Sequence, residues 1–155
     1  CDHSGKDVSE ELFQIMRQTK LTSFDELVKD LSEKDVLPGI RDFLTWLNEQ
    51  GVKTAVASSS NTSSGLANRF DLTKHFGVVI DGNRKLPRKP APDTFLLAAK
   101  MLGVEPQDCI VFEDSLAGIG AAVNAGMPVV AVGGIRSEQA VLHIQDFRGI
   151  REFFG

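Results

Sequence analysis

The 155-residue chain has only two cysteines, no apolar run of 18 residues, no signal-like start and no face-long run of lysine and arginine. Each shortage closes off a class of function. Without a long apolar run or a leader-like start, the sequence offers no candidate membrane span and no signal for secretion. With a net charge of -4 and a pI near 5.4, it lacks the electrostatic footprint expected for a nucleic-acid or anionic-membrane partner. Cys109 falls inside an apolar stretch, so a buried free thiol fits it better than a disulfide or a zinc site, and this suits a cytoplasmic protein. No internal repeat or low-complexity linker appears. At 42% hydrophobic residues, the chain can bury one sizeable core and is too short for two ordinary domains. It begins with Cys1, a start expected of a processed chain or a piece of a longer one.

What is present is organised around Cys109-Ile110-Val111-Phe112-Glu113-Asp114-Ser115, followed by Leu116 to Ala122. Four apolar residues without polar alternation predict a short strand, Cys109–Phe112, buried on both faces, and the residues from Ser115 predict a helix. Glu113 and Asp114 then stand at the strand's carboxyl end, where open α/β sheets bind ligands. Two adjacent carboxylates there call for a positive partner, either a divalent cation or a lysine ammonium. The plainer alternative, that Asp114 caps the helix, leaves Glu113 unexplained.

Ser9 to Lys20 carries Leu12, Ile15 and Met16 on one helical face, and Ser23 with Glu26 forms a capping box ahead of a second helix. Pro38-Gly39 breaks the chain before Ile40, Phe43, Leu44 and Leu47, which recur at helical spacing; Trp46 beside them is a packing residue. Val52–Ala57 predicts a strand. The Ser58-Ser59-Ser60-Asn61-Thr62 loop after it is either a hydroxyl-rich anion site or an ordinary polar loop that caps the helix over Ser63 to Phe70. Val78–Ile80 predicts another strand, closed by an Asp81-Gly82-Asn83 turn. The basic loop that follows is largely solvated, except that Pro90 and Pro92 stiffen the chain around Lys89 and hold its ammonium at low entropic cost. A helix with Phe95, Ala98, Ala99 and Leu102 inward comes next. Pro128 to Val132 is a buried strand, and Ser137–Ile144 and Phe147–Phe154 are expected as closing helices.

Strands alternating with helices imply a parallel sheet whose loops share one edge. Ser58, Lys89 and the Glu113-Asp114 pair all fall on it. A hydroxyl, an ammonium and an acidic pair together can hold a phosphoryl group beside Mg²⁺. Asp35-Val36-Leu37-Pro38-Gly39-Ile40, Val56-Ala57-Ser58-Ser59-Ser60, Lys89-Pro90-Ala91-Pro92-Asp93 and Phe112-Glu113-Asp114-Ser115-Leu116-Ala117-Gly118-Ile119 resemble, in order and spacing, the signatures of the haloacid dehalogenase superfamily and its β-phosphoglucomutase-like branch. The resemblance implies a Rossmann-like α/β core over residues 35–155, preceded at 1–34 by part of a helical cap. It further implies that Ser58 binds the transferring phosphoryl group, Lys89 neutralises it, Asp114 with Glu113 holds Mg²⁺, and Ser59, Ser60 and Asn61 line the substrate-phosphate loop. Many members of the branch carry Lys or Arg where Asn61 stands.

The family begins with an apolar strand ending in Asp-x-Asp-Gly, which supplies the nucleophile and the acid/base, and nothing here matches it. The expectation is therefore a Mg²⁺-dependent phosphosugar phosphatase or mutase, lacking its first strand in this chain and inactive alone. Its substrate would be a small phosphorylated sugar or similar phosphate monoester, and a missing N-terminal segment or a second chain would complete the sheet. The alternative is a non-catalytic phosphate- or phosphometabolite-binding module that has lost the nucleophile. A receiver-type signalling domain uses similar groups, but the order of acidic pair and lysine along this chain argues against it. By resemblance the absent strand lies between those at Val52–Ala57 and Cys109–Phe112, which would either face a gap or pair directly.

Overall fold

The computed structural model describes residues 9, 10, 12, 14, 15 and 28–154. The chain divides into two compact units, Cys1–Val36 and Leu37–Gly155. In the first, Glu10, Leu12, Gln14 and Ile15 are helical, as are residues 28–30. The rest of the helix expected over Ser9–Lys20 and the Ser23–Glu26 capping box lie outside the described residues. Near the end of this unit Ser32 donates its backbone N–H to Asp35 Oδ2 at 2.8 Å, while Asp35 donates its own to Ser32 O at 2.9 Å, closing a single turn.

The second unit is an α/β domain in which every strand pairing is parallel. Helix α1 spans Ile40–Glu49, and β1, Ala55–Ala57, pairs with β2, Val78–Ile80, in the register Val56 to Val79. Helix α2, Ser63–Arg69, connects them, and α3, Asp93–Leu102, leads on to β3, Val111–Glu113. Helix α4, Leu116–Asn124, joins β3 to β4, Val129–Val132, and β5, Leu142–Ile144, closes a sheet of order β3-β4-β5.

Period-two alternation sends the strand residues to two faces. Val111, Val129 and Ala131 meet Phe95 and Ala99 of α3 and Ile119, Ala121 and Ala122 of α4. Small residues at Gly118, Ala121 and Ala122 let α4 lie close on the sheet, while Ala117, expected on the same surface, is exposed. Ile119, Ala121 and Ala122 are fully buried, and burying Ile119 alone contributes about 2 kcal/mol. On the opposite face Phe43 packs with Val132, Phe147 and Ile150, flanked by Trp46 and Phe112. The Phe43 and Trp46 rings stack at 6.0 Å, so Trp46 is a packing residue as expected. Gly39 (φ 81°) admits no side chain, because a Cβ there would lie 2.6 Å from the Phe147 carbonyl carbon.

Four expectations are corrected. The closing helix expected over Ser137–Ile144 is instead the strand β5. Leu142 and Ile144 join the aromatic cluster while His143, between them, alternates to the other face, and the open edge of β4 captures the segment through Val141 N–H to Val129 O and Gly133 N–H to Ile144 O. The last helix shrinks to a 3₁₀ turn at Ile150–Phe153. The strand expected at Cys109–Phe112 is Val111–Glu113: Ile110 is 48% exposed and Cys109 half-buried, because β3 has a described partner only on the β4 side. Val52 likewise leaves β1, since its N–H closes the end of α1 on Leu47 O. Among the described residues β1 and β3 do not pair with each other, so the two sheets remain separate.

Candidate active site

The carboxyl ends of β1, β2 and β3 carry the polar loops. Ser58 directly follows β1, and its N–H continues the ladder to Ile80 O at 2.9 Å. Its Oγ accepts the Ser60 N–H at 3.1 Å. A hydroxyl that accepts there keeps its own proton free to donate to an anion. The remainder of the loop is tied by short-range polar bonds, Ser60 Oγ to Thr62 Oγ1 at 2.8 Å and Ser63 Oγ to Ser60 O at 3.0 Å, while Ser59 and Asn61 stay exposed.

The turn after β2 braces this loop. Gly82 donates its N–H to Ser60 O at 3.1 Å, and a Cβ on Gly82 would stand 2.4 Å from both Ser59 O and Asn61 Oδ1. Asp81 accepts from Ser64 Oγ at 2.6 Å and from Asn83 N–H at 3.1 Å. The Ser64 hydroxyl holds its carboxyl below the ordinary range, against the opposing effect of desolvation. The sequence marked Asp81-Gly82-Asn83 only as a turn; its role as a brace depends on how closely two loops approach, which no local signal encodes.

Lys89 crosses between the two sheets. Its ammonium donates to Ala57 O, at the end of β1, at 3.2 Å and to Glu113 Oε2, at the end of β3, at 2.7 Å. The side chains of Lys89 and Glu113 are 12% and 10% exposed, so the pair is largely shielded from water. The loop that delivers Lys89 contains a cis Lys89–Pro90 peptide and is tied to α4 by Asn124 Nδ2 donating to Pro90 O at 2.9 Å. The neighbouring Arg84, Lys85 and Arg88 are exposed, as expected of a solvated basic loop.

Glu113 and Asp114 occupy different surroundings. Burial pushes the Glu113 carboxyl up, but the Lys89 hydrogen bond and charge, with Ser115, outweigh it and hold the group below its ordinary range. Its Oε1 accepts from Ser115 Oγ at 2.8 Å, so each of its oxygens already has a donor. Asp114 is pushed up by desolvation and then by the carboxylate of Glu113 beside it. It does not cap α4: Ser115 does, its Oγ accepting the Gly118 N–H at 3.1 Å. With the capping role taken by Ser115, Asp114 stands exposed beside Glu113 at the end of β3.

The structure thus brings Lys89 and Glu113 into contact and seats them beside the residue that precedes Ser58. Ser58 and Asp114 share the edge without a hydrogen bond between them. Among the described residues no group of three or more His, Cys, Asp and Glu side chains is assembled for a metal. Two carboxylates are nonetheless a sufficient protein contribution for Mg²⁺, which keeps several waters and takes one or two carboxylates together with substrate phosphate. The raised Asp114 fits such an ion, because a cation there would offset both the desolvation that chiefly raises it and the repulsion from Glu113 that adds to it. Missing from the sequence reading were Ser115 as cap and partner of Glu113, and Gly118, where a Cβ would lie 2.0 Å from Glu113 Cδ. The spacing of Ser115 and Gly118 was a visible signal for the cap alone.

The haloacid dehalogenase-like hydrolase family matches residues 5–126 of the chain. The β-phosphoglucomutase of Bacillus subtilis (strain 168) is 38% identical over 120 residues, covering 77% of this chain and 53% of that protein. The phosphorylated carbohydrates phosphatase of Thermotoga maritima is 34% identical over 124 residues, covering 79% of this chain and 55% of its own length. Among solved structures, a β-phosphoglucomutase from Clostridium difficile superposes with a TM-score of 0.81 at 30% identity, over 94% of this chain and 66% of that one. The chain spans about half the length of the curated relatives it matches.

Proposed function

This chain belongs to the haloacid dehalogenase-like hydrolases, and on that premise we propose that it carries the phosphoryl-binding part of a Mg²⁺-dependent phosphotransferase for small phosphorylated sugars, a phosphatase or a mutase. The observation that carries the reading is the Lys89 ammonium, held at the carboxyl edge between Glu113 and the carbonyl of Ala57, the residue that precedes Ser58. Relatives named β-phosphoglucomutase and phosphorylated carbohydrates phosphatase support the substrate class.

In this reading Ser58 Oγ donates to a phosphoryl oxygen while its orientation is fixed by Ser60 N–H. Lys89 offsets the charge that builds on the equatorial oxygens, and Glu113 keeps its ammonium in place. Asp114, with Glu113 beside it, holds Mg²⁺, which when bound supplies Lewis-acid neutralisation of the phosphate. Ser59, Ser60 and Asn61 face the rest of the substrate. The nucleophilic carboxylate is contributed by a strand entering between β1 and β3, from a preceding segment or a second chain, and the described core alone is inactive. The two separate sheets support that arrangement, because β1 and β3 each have one edge without a described partner.

The test uses the full-length protein with Mg²⁺ and a panel of hexose phosphates. Metal-dependent turnover is expected, reduced about a hundredfold by Lys89→Ala and by Asp114→Ala, in keeping with the loss of one preorganised charge. Phosphate binding without turnover would favour a non-catalytic binding module instead. Turnover that survives either substitution at saturating Mg²⁺ would overturn the assigned roles.

A further inference from the structure

We infer that Phe95 is a positioning residue for Lys89, its ring face holding the ammonium in the orientation that receives a phosphoryl group; the inference rests on the reading of Lys89 above. Phe95 lies in the first turn of α3 and is 6% exposed, packed with Val111, Ile119 and Ala131. By sequence it is a core residue and nothing more. Its ring centroid, however, stands 4.4 Å from Lys89 Nζ.

An ammonium has three N–H groups, and here one reaches Ala57 O and one Glu113 Oε2. A π face attracts the cation as a whole and demands no particular N–H, so the third remains available to an anion. The ring also opposes collapse of the ammonium onto Glu113, which would shorten one bond at the expense of the direction in which an incoming oxygen is met. A leucine would fill much of the same space and supply none of this, because it has no quadrupole. The attraction is at its strongest for a cation removed from water, which at 12% exposure Lys89 largely is.

The role is separable from packing by keeping the shape and draining the ring. In the full-length protein, 4-fluoro-, 3,5-difluoro- and 3,4,5-trifluorophenylalanine placed at position 95 alone form such a series, with inorganic phosphate in the presence of Mg²⁺ as the probe. The dissociation constant for phosphate is expected to rise stepwise, by roughly tenfold to thirtyfold at the trifluoro ring, with Tm unchanged. The Lys89 ε-methylene protons should resonate upfield in the native protein and return to ordinary values in Phe95→Leu. Flat phosphate affinity across the series, or no upfield shift, overturns the role of Phe95 when Lys89→Met still abolishes binding. If the native protein binds no phosphate, or Lys89→Met binds it equally well, the reading of Lys89 falls and this inference with it.

Discussion

Gly118→Ala should leave α4 formed and empty the seat of Glu113. The substituent Cβ would lie 2.0 Å from Glu113 Cδ, 2.2 Å from Oε1 and 2.3 Å from Cγ, so the carboxylate has to swing away. Two terms decide the outcome. Replacing a helix-interior glycine with alanine stabilises by about 1 kcal/mol. Removing one partner of a buried ion pair costs about 3–5 kcal/mol, and because Glu113 is displaced into water and not deleted, the lower figure applies. The expected net loss is therefore roughly 2 kcal/mol, with Lys89 left on Ala57 O alone. Gly65→Ala in α2 is the control: nothing lies within 4 Å of its Cβ, so propensity acts unopposed and the protein should gain about 1 kcal/mol. Urea unfolding of both variants measures the difference, and turnover of the full-length protein with Mg²⁺ should fall for Gly118→Ala only. A Gly118→Ala protein as stable as the control and fully active would refute the claim that Glu113 sits over Gly118 and holds Lys89.

Gly82→Ala should disturb the Ser58–Asn61 loop more than the fold. Its Cβ meets the backbone of Ser59, which cannot rotate aside, so phosphate affinity should drop with unfolding little changed, and unaltered affinity would show that the turn is no brace. Asp81, held low by Ser64, favours the folded state above the pKa of the unfolded chain, and this contribution is lost as pH falls through the lower folded value. Ser64→Ala should move the carbon-13 titration of Asp81 upward and weaken acid stability; an unmoved titration would contradict the assigned hydrogen bond. Mg²⁺ and inorganic phosphate should each tighten the other's binding by the same factor, which paired calorimetric titrations measure, and independent binding would separate Asp114 from the phosphate site.

The parallel α/β character and the edge that gathers Ser58, Lys89, Glu113 and Asp114 were legible in the sequence because both follow from chain-local patterns. Apolar strands alternate with punctuated helices, and the loop after each strand must emerge on the same side. Strand ends and contacts across loops were less legible for a physical reason. Ile110 and Val52 look like strand residues, yet whether such a residue is paired depends on a neighbouring strand. The segment 142–144 has an alternation that only the vacant edge of β4 converts into a strand. At the site, the acidic pair offered two cation partners, a metal or a lysine. Lys89 takes Glu113, a choice settled by the chain folding back across a separation of 24 residues, not by anything at Glu113 itself.

That choice shapes the electrostatics of the site. Lys89 ionised against Glu113 forms a pair with almost no net charge, and Asp114 adds an uncompensated negative one when it ionises. A phosphate dianion approaching this edge would gain from the free ammonium N–H and the Ser58 hydroxyl, but would meet Asp114 as a like charge. At a separation of about 4 Å and the effective dielectric of a protein surface, one like-charge contact is worth about 4 kcal/mol, comparable with two hydrogen bonds to a charged group at about 1.5–3 kcal/mol each. A cation shared by Asp114 and the phosphate would turn that repulsion into attraction. On the proposed reading, the carboxylate that desolvation and Glu113 raise is the one a divalent ion would neutralise, while Lys89, paired with Glu113, meets the phosphate through its third N–H.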